Sequence, residues 1–398
     1  MASIEGVLAP TYHDPITLAD LREPSELTHP VLRIAAERAL EGSRPRRRDD
    51  PHVLALAIEG GGMGGAVSAG MCVMLDALGL IPAFDLIYGC SSGALNGLWT
   101  AAGQAPLGAT NYEDAASREF ISALRLLRGK PIVDLEFLFD QIATHVKPYS
   151  VTGLADGPEF RAIATAVERR EGIVLRDFVS PQETLAAVRA SCALPLLGGE
   201  LPYLRGELLA DGGLVEAVPL ESALRDGATH VLVLRSRTAA HRKTATNPAA
   251  LAAVGRQHPA LREVLRERPE RYNAAATTLS GLSEDPVLGD RVVQLAVGEQ
   301  DVVGRLERDR AAVVRGLGAG AREVTAALSS QPAALLWQPL AYRVSPAPLS
   351  ATIPSRRAAL AARPPLRLRE SAAEAVRHAP ERLRDLREAA AERARVSR

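Results

Sequence analysis

The sequence predicts an α/β domain, a mainly parallel sheet with helices on its faces. Two observations carry this. Short apolar runs closed by glycine alternate with segments of helical period, and a small, flexible turn joins strand to helix in each of the first two units. The chain has 398 residues, 47% hydrophobic and 24% charged, enough for one large domain with additions at both ends.

Residues 1–50 read as an N-terminal helical arm and basic linker. "PVLRIAAERALEGS" places Val31, Leu32, Ala35, Ala36 and Leu40 at helical spacing, with Gly42 to stop the helix. "RPRRRDDP" follows, a charged, Pro-bounded stretch expected to be a solvated linker.

The main domain is expected over 51–330. "VLALAI" from Val53 is a short apolar run ended by glycines, as in a strand buried on both faces. Val67, Met71, Met74, Leu75 and Leu78 then mark a helix that stops at Gly79. "FDLIYG" is a second strand and "SSGALNGLWTAAG" a second helix. Further on, "ELLADGG" and "THVLVLRSR" read as strands, and "RVVQLAV" as a late one. Residues 242–330 are otherwise helical in pattern. The last stretch, 331–398, is a Pro- and Arg-rich tail with 13 Arg against 6 acidic residues and a terminal helix of alternating charge. That excess suits contact with anionic lipid, and equally a solvated extension.

Composition excludes several classes. Lys plus Arg and Asp plus Glu are both 47, so no global field argues for nucleic acid. Three cysteines, Cys72, Cys90 and Cys192, make neither a disulfide framework nor a zinc site and suit a reducing compartment. The N-terminal "MASIEGVLAPTYHDP" lacks a signal-peptide pattern, and no run of 18 apolar residues appears. The expectation is a cytoplasmic protein, with peripheral membrane contact left open.

"EGGGMGG" puts Gly60, Gly61, Gly62, Gly64 and Gly65 between the first strand and its helix. Glycines there let a ligand approach backbone amides beside a helix N-terminus, which favours an anion. Gly60, Gly62 and Gly65 satisfy a dinucleotide fingerprint, but the acid it needs should close the second strand, and Asp85 opens it. No Gly-Lys-Ser/Thr follows, so this is not a P-loop. An oxyanion hole and a merely tight connection remain, and the density of glycine favours the first.

"GCSSG" is a G-x-S-x-G, with Ser91 between Gly89 and Gly93 in a strand–turn–helix context. That is the setting of a nucleophile elbow. Ser92 is a weaker candidate, out of register with the glycines. The eight histidines offer no distinctive base. Asp211 does better: an apolar strand delivers it to Gly212 and Gly213, which turn the chain sharply. A carboxylate within hydrogen-bond reach of Ser91, with its pKa raised by burial, would serve as general base.

Together, "EGGGMGG", "GCSSG", "DGG" and Pro195 in "ASCALPLL" resemble the patatin-like phospholipases over roughly 52–240, with a weaker continuation to about 330. The resemblance implies a three-layer α/β/α fold and a Ser91–Asp211 dyad without histidine. It implies oxyanion amides at Gly60, Gly61 and Gly62, and a fatty-acyl ester as substrate through an acyl-enzyme. No metal or organic cofactor is implied. One departure stands out: the family pattern has Arg where this chain has Gly64. That removes a cation beside the turn and predicts a looser loop, lower activity or a different headgroup preference. An acyltransferase or thioesterase on the same acyl-enzyme, or a catalytically weak lipid-binding protein, are the alternatives. Oligomeric state is not legible.

Overall fold

The strand β1 (Leu54–Ile58) is the axis of the molecule. It pairs in parallel with β2 (Leu86–Cys90) on one side and β7 (His230–Leu234) on the other. The full order is β5 (Tyr203–Leu204), β6 (Glu207–Asp211), β3 (Glu159–Ala166), β2, β1, β7 and β8 (Val292–Leu295), with β4 (Glu171–Leu175) paired to β3. The centre and the β8 edge are parallel; β4, β5 and β6 join antiparallel. This is a computed structural model, and it describes residues 18–331, all within one unit of the chain.

Alternation along β1 divides the core in two. Leu54, Leu56 and Ile58 face helices α1 (Pro30–Leu40), α2 (Gly65–Ala77), α3 (Ser92–Ala101) and α6 (Arg310–Leu328). Ala55 and Ala57 face the other way, toward Tyr272 and Ala276 of α5 (Pro259–Ser280). All five side chains are fully buried. Each of the three large ones contributes about 1.5–3 kcal/mol on that account. The result is the three-layer α/β/α arrangement, with a mainly parallel sheet as its middle layer. A remaining labelled helix, α4 (Pro181–Ser191), packs on β3 and β6.

Over its described part, the N-terminal stretch is not a separable arm. Val31, Ala35 and Ala36 of α1 are in the main core. In "RPRRRDDP", Arg44, Arg46, Arg47 and Asp49 are exposed, as expected of a solvated stretch, whereas Arg48 and Asp50 are held. The buried Arg38 guanidinium holds Asp50 and Asp85, and Arg48 holds Asp85 and the carbonyls of Pro82 and Phe84. These charges pin residues 38–50 to the entrance of β2. The tail expected over 331–398, with its terminal helix, lies outside the described residues beyond Gln331. Among the described residues no helix is long and apolar enough to cross a membrane.

Chain reversal sets the position of the site. From β1 the next strand lies on one side and β7 on the other. Such a reversal opens a crevice at the carboxyl ends of the strands. The Gly60–Gly62 turn leaves β1 there.

Candidate active site

Ser91 follows β2 and caps α3. Its φ is 54° and ψ −126°, in a region that L-residues rarely occupy. Such strain costs about 1–3 kcal/mol and persists only where the surroundings impose it. Two of them are visible. A Cβ at Gly89 would fall 2.3 Å from the Gly93 carbonyl, and one at Gly93 would fall 2.3 Å from the Ile58 carbonyl. The Ser91 N–H also donates to Ser191 Oγ at 2.8 Å, and Ser191 donates in turn to the Ile163 carbonyl at 2.6 Å. Ser191 went unflagged in the sequence, although it opens the "SCALP" segment beside Pro195.

β6 brings the partner. Its last residue, Asp211, pairs with Ala164 of β3, while Cys90 at the end of β2 pairs with Ile163. β3 therefore holds both ends side by side. Ser91 Oγ donates to Asp211 Oδ2 at 2.6 Å, and the Gly213 N–H donates to Oδ1 at 2.7 Å. Asp211 is 2% exposed. Burial raises its pKa above the ordinary value, opposed by the Ser91 hydroxyl, by Arg268 and by the Gly213 amide.

No histidine hydrogen-bonds Ser91 among the described residues. His230 opens β7 and pairs with Leu54, at the far end of the sheet from Ser91. Burial lowers its pKa to about 4. Burial likewise drives the Cys90 and Cys192 thiols far up, so neither is a thiolate. Asp85 sits among Arg38, Arg48 and the Leu54 amide, away from the glycine turn.

The glycine turn is only partly free. The Gly60 N–H donates to the Ala217 carbonyl and the Gly61 N–H to Ser92 Oγ, at 3.1 and 2.9 Å. Among the described residues, Gly62 N–H and the Ser92 N–H that opens α3 have no acceptor. Gly62 has φ 61°. Glu59 anchors the turn. It is buried against Arg235 Nε (3.0 Å), the Ser236 N–H (2.8 Å) and the Tyr272 hydroxyl (2.6 Å). Burial alone would raise its pKa, but Arg235, Tyr272 and Ser236 together hold it below the ordinary value.

At Gly64, where a cation was expected to be missing, the structure supplies one from elsewhere in the chain. A Cβ at that position would lie 3.6 Å from Nη2 of Arg237. The next segment also closes on the turn, since the Arg305 carbonyl accepts from Met63 N–H at 3.0 Å.

Two cavities meet here. One, of about 90 Å³, is apolar: Leu95, Phe120, Ile121, Leu135 and Leu138 line it, with Ser91 and Gly62 at its polar end. The other, of about 450 Å³, runs from Glu59 and Gly60 over Arg237, Lys243, Arg268 and Tyr272. Arg305 lines both.

Residues 56–224 match the family model described as patatin-like phospholipase. A protein of Escherichia coli K12, the uncharacterized YjjU, is 30% identical over 190 residues, 47% of this chain. The chain spans about half (52%) of that relative's length. Among solved structures, VipD from Legionella pneumophila aligns at 14% identity over 70% of this chain and 68% of its own, with a TM-score of 0.34. The human group IVD cytosolic phospholipase A2, solved with methyl γ-linolenyl fluorophosphonate and terbium chloride, aligns at 12% identity. That match covers 79% of this chain and 63% of its own, with a TM-score of 0.33.

Proposed function

Since residues 56–224 match the patatin-like phospholipase family model, we propose that this chain is a serine acyl-ester hydrolase of the phospholipase A type, acting through Ser91 and Asp211. The observation that carries the reading is the 2.6 Å hydrogen bond from Ser91 Oγ to the buried Asp211 carboxylate, at the mouth of an apolar cavity.

The chemistry follows from the geometry. Asp211 Oδ2 takes the hydroxyl proton as Ser91 Oγ bonds to the acyl carbonyl carbon. Negative charge builds on the carbonyl oxygen, and Gly62 N–H and Ser92 N–H are the donors free to meet it. Gly60 and Gly61 hold the turn through their own bonds and join only if those bonds open. The carbon–oxygen bond to the leaving alcohol then breaks, and Asp211 returns its proton to that oxygen. Water attacks the acyl-Ser91, with Asp211 again accepting a proton. Asp211 then gives that proton to Ser91 Oγ as the fatty acid departs. No step calls for a metal or organic cofactor.

Contact with a lipid surface is assigned to residues 123–130. Leu124 and Leu127 are 71% and 85% exposed, next to exposed Arg128 and Lys130. The segment follows Phe120 and Ile121, which line the apolar cavity. Leucines flanked by cations suit an anionic interface.

The test is labelling with a fluorophosphonate probe and turnover of p-nitrophenyl butyrate. Labelling mapped to Ser91, with both signals lost in Ser91→Ala while the fold is intact, is expected. Turnover retained by Ser91→Ala overturns the reading.

A further inference from the structure

We infer that the cleft formed by Arg237, Lys243, Arg268 and Arg305 binds a dianionic phosphate monoester, and that this phosphate is the headgroup of the ester cleaved at Ser91. The inference rests on the hydrolase reading above and adds the substrate's charge and the residues that select it.

Five cations line one cleft of about 450 Å³: the exposed Arg242, and the four half-buried ones, Arg237, Lys243, Arg268 and Arg305. Among the described residues, none of the four is in an ion pair with a carboxylate. Arg237 reaches only the Val303 carbonyl, at 3.3 Å, and Arg268 the Gly213 carbonyl, at 2.9 Å. Lys243 Nζ lies 3.9 Å from the centre of the Tyr272 ring. The carboxylate that lines the cleft, Glu59, is already matched by Arg235, Tyr272 and Ser236. Each of the four cations is half-buried and so partly desolvated while still open to a ligand. Like charges gathered this way repel until an anion enters. Burial, then Arg268 and Arg305, lowers the Lys243 pKa to about 7, as expected of a cation held ready for a counter-charge.

Position ties the cleft to Ser91. Arg305 lines both cavities. Arg268 holds the carbonyl of Gly213, two residues past Asp211. An ester with its acyl chain in the apolar cavity and its phosphate in the cleft would straddle Ser91 across Gly60–Gly62. Four cations favour two negative charges over one, so a monoester is preferred to a diester. Arginine and lysine together supply both forked and point-charge contacts to phosphate oxygens.

The experiment has a binding arm and a kinetic arm. Inorganic phosphate binding is measured by calorimetry on the full chain at fixed ionic strength, with chloride as control. Turnover is compared between dihexanoylglycerol 3-phosphate and dihexanoylphosphatidylcholine, with p-nitrophenyl butyrate as the uncharged reference. Expected is phosphate binding that weakens at least tenfold in Lys243→Gln and Arg237→Gln and is retained in Ser91→Ala and Lys243→Arg. Expected too is a kcat/KM preference for the monoester that falls at least tenfold in the two Gln variants, relative to the uncharged ester. Thermal melting of each variant excludes misfolding. Failure of the wild-type chain to bind phosphate overturns the inference. Binding without any preference between the two lipids overturns the headgroup assignment and makes free phosphate the ligand. Phosphate binding that depends on Lys243, with no ester turned over by the wild-type chain, overturns the hydrolase reading and the headgroup with it, and leaves the anion site standing.

Discussion

Asp211→Asn separates the chemical use of this carboxylate from its structural effect. Asparagine has nearly the same shape, and its Oδ1 can still accept the Gly213 N–H that now donates at 2.7 Å. Its Nδ2, facing Ser91 Oγ across the former 2.6 Å bond, is a donor and cannot take a proton. Loss of a general base costs about 10²–10⁴ in rate. That is about 2.7–5.4 kcal/mol of transition-state free energy. Stability should move the other way. The folded-state pKa of Asp211 is raised by burial, so between the unfolded value and the folded one the native chain binds the extra proton. Its contribution is therefore favourable in acid and is lost as pH rises from about 4 through the folded value. Asn carries no charge at any pH, so its stability advantage over the wild type should grow across that window. The assay is kcat/KM on p-nitrophenyl butyrate with urea unfolding at several pH values. Turnover within tenfold of wild type would refute the dyad. A folded variant that loses stability relative to wild type as pH rises would refute the raised pKa of Asp211.

Ser191→Ala removes the acceptor of the Ser91 N–H and leaves that group unpaired, at a cost of about 1–3 kcal/mol. We expect kcat to fall with little change in KM, read by steady-state kinetics beside a melting curve. Glu59→Ala strands Arg235, which is fully buried, and should destabilise by about 3–5 kcal/mol in urea unfolding. Leu124→Asp with Leu127→Asp should slow hydrolysis of anionic vesicles at least tenfold while p-nitrophenyl butyrate turnover holds. Equal loss on both substrates would place these leucines in the fold rather than at the interface.

Much of the fold is legible because the central parallel strands are nearly pure apolar runs. β1, β2 and β7 announce themselves that way. β3 does not, because Arg161 interrupts it. That side chain is satisfied by the Tyr88 hydroxyl and Asp226, partners far away in sequence. In "RPRRRDDP" the anchored Arg48 and Asp50 escape notice for a related reason: they look like the exposed charges beside them. Only their partners, Asp85 and Arg38, distinguish them. Ser91 and Asp211 stand out because strained turns demand glycine at fixed offsets. The Arg237–Arg305 cleft carries no such mark. All but three of the 47 basic residues are arginine, so no single Arg signals anything until the fold gathers four cations.

The order of strands separates two things that sequence comparison treats as one. The family match ends at residue 224, before β7, yet β7 lies against β1 and carries β8 on its other side. A chain cut at residue 224 would lose β7 and β8 and leave the buried strand β1 as an open edge of the sheet. The four half-buried cleft cations all lie between 237 and 305, outside the matched stretch, so their side chains can vary without altering the serine, the aspartate or the glycines. On the proposed function, relatives that keep Ser91 and Asp211 and differ at these cations would share one chemistry and choose different lipids.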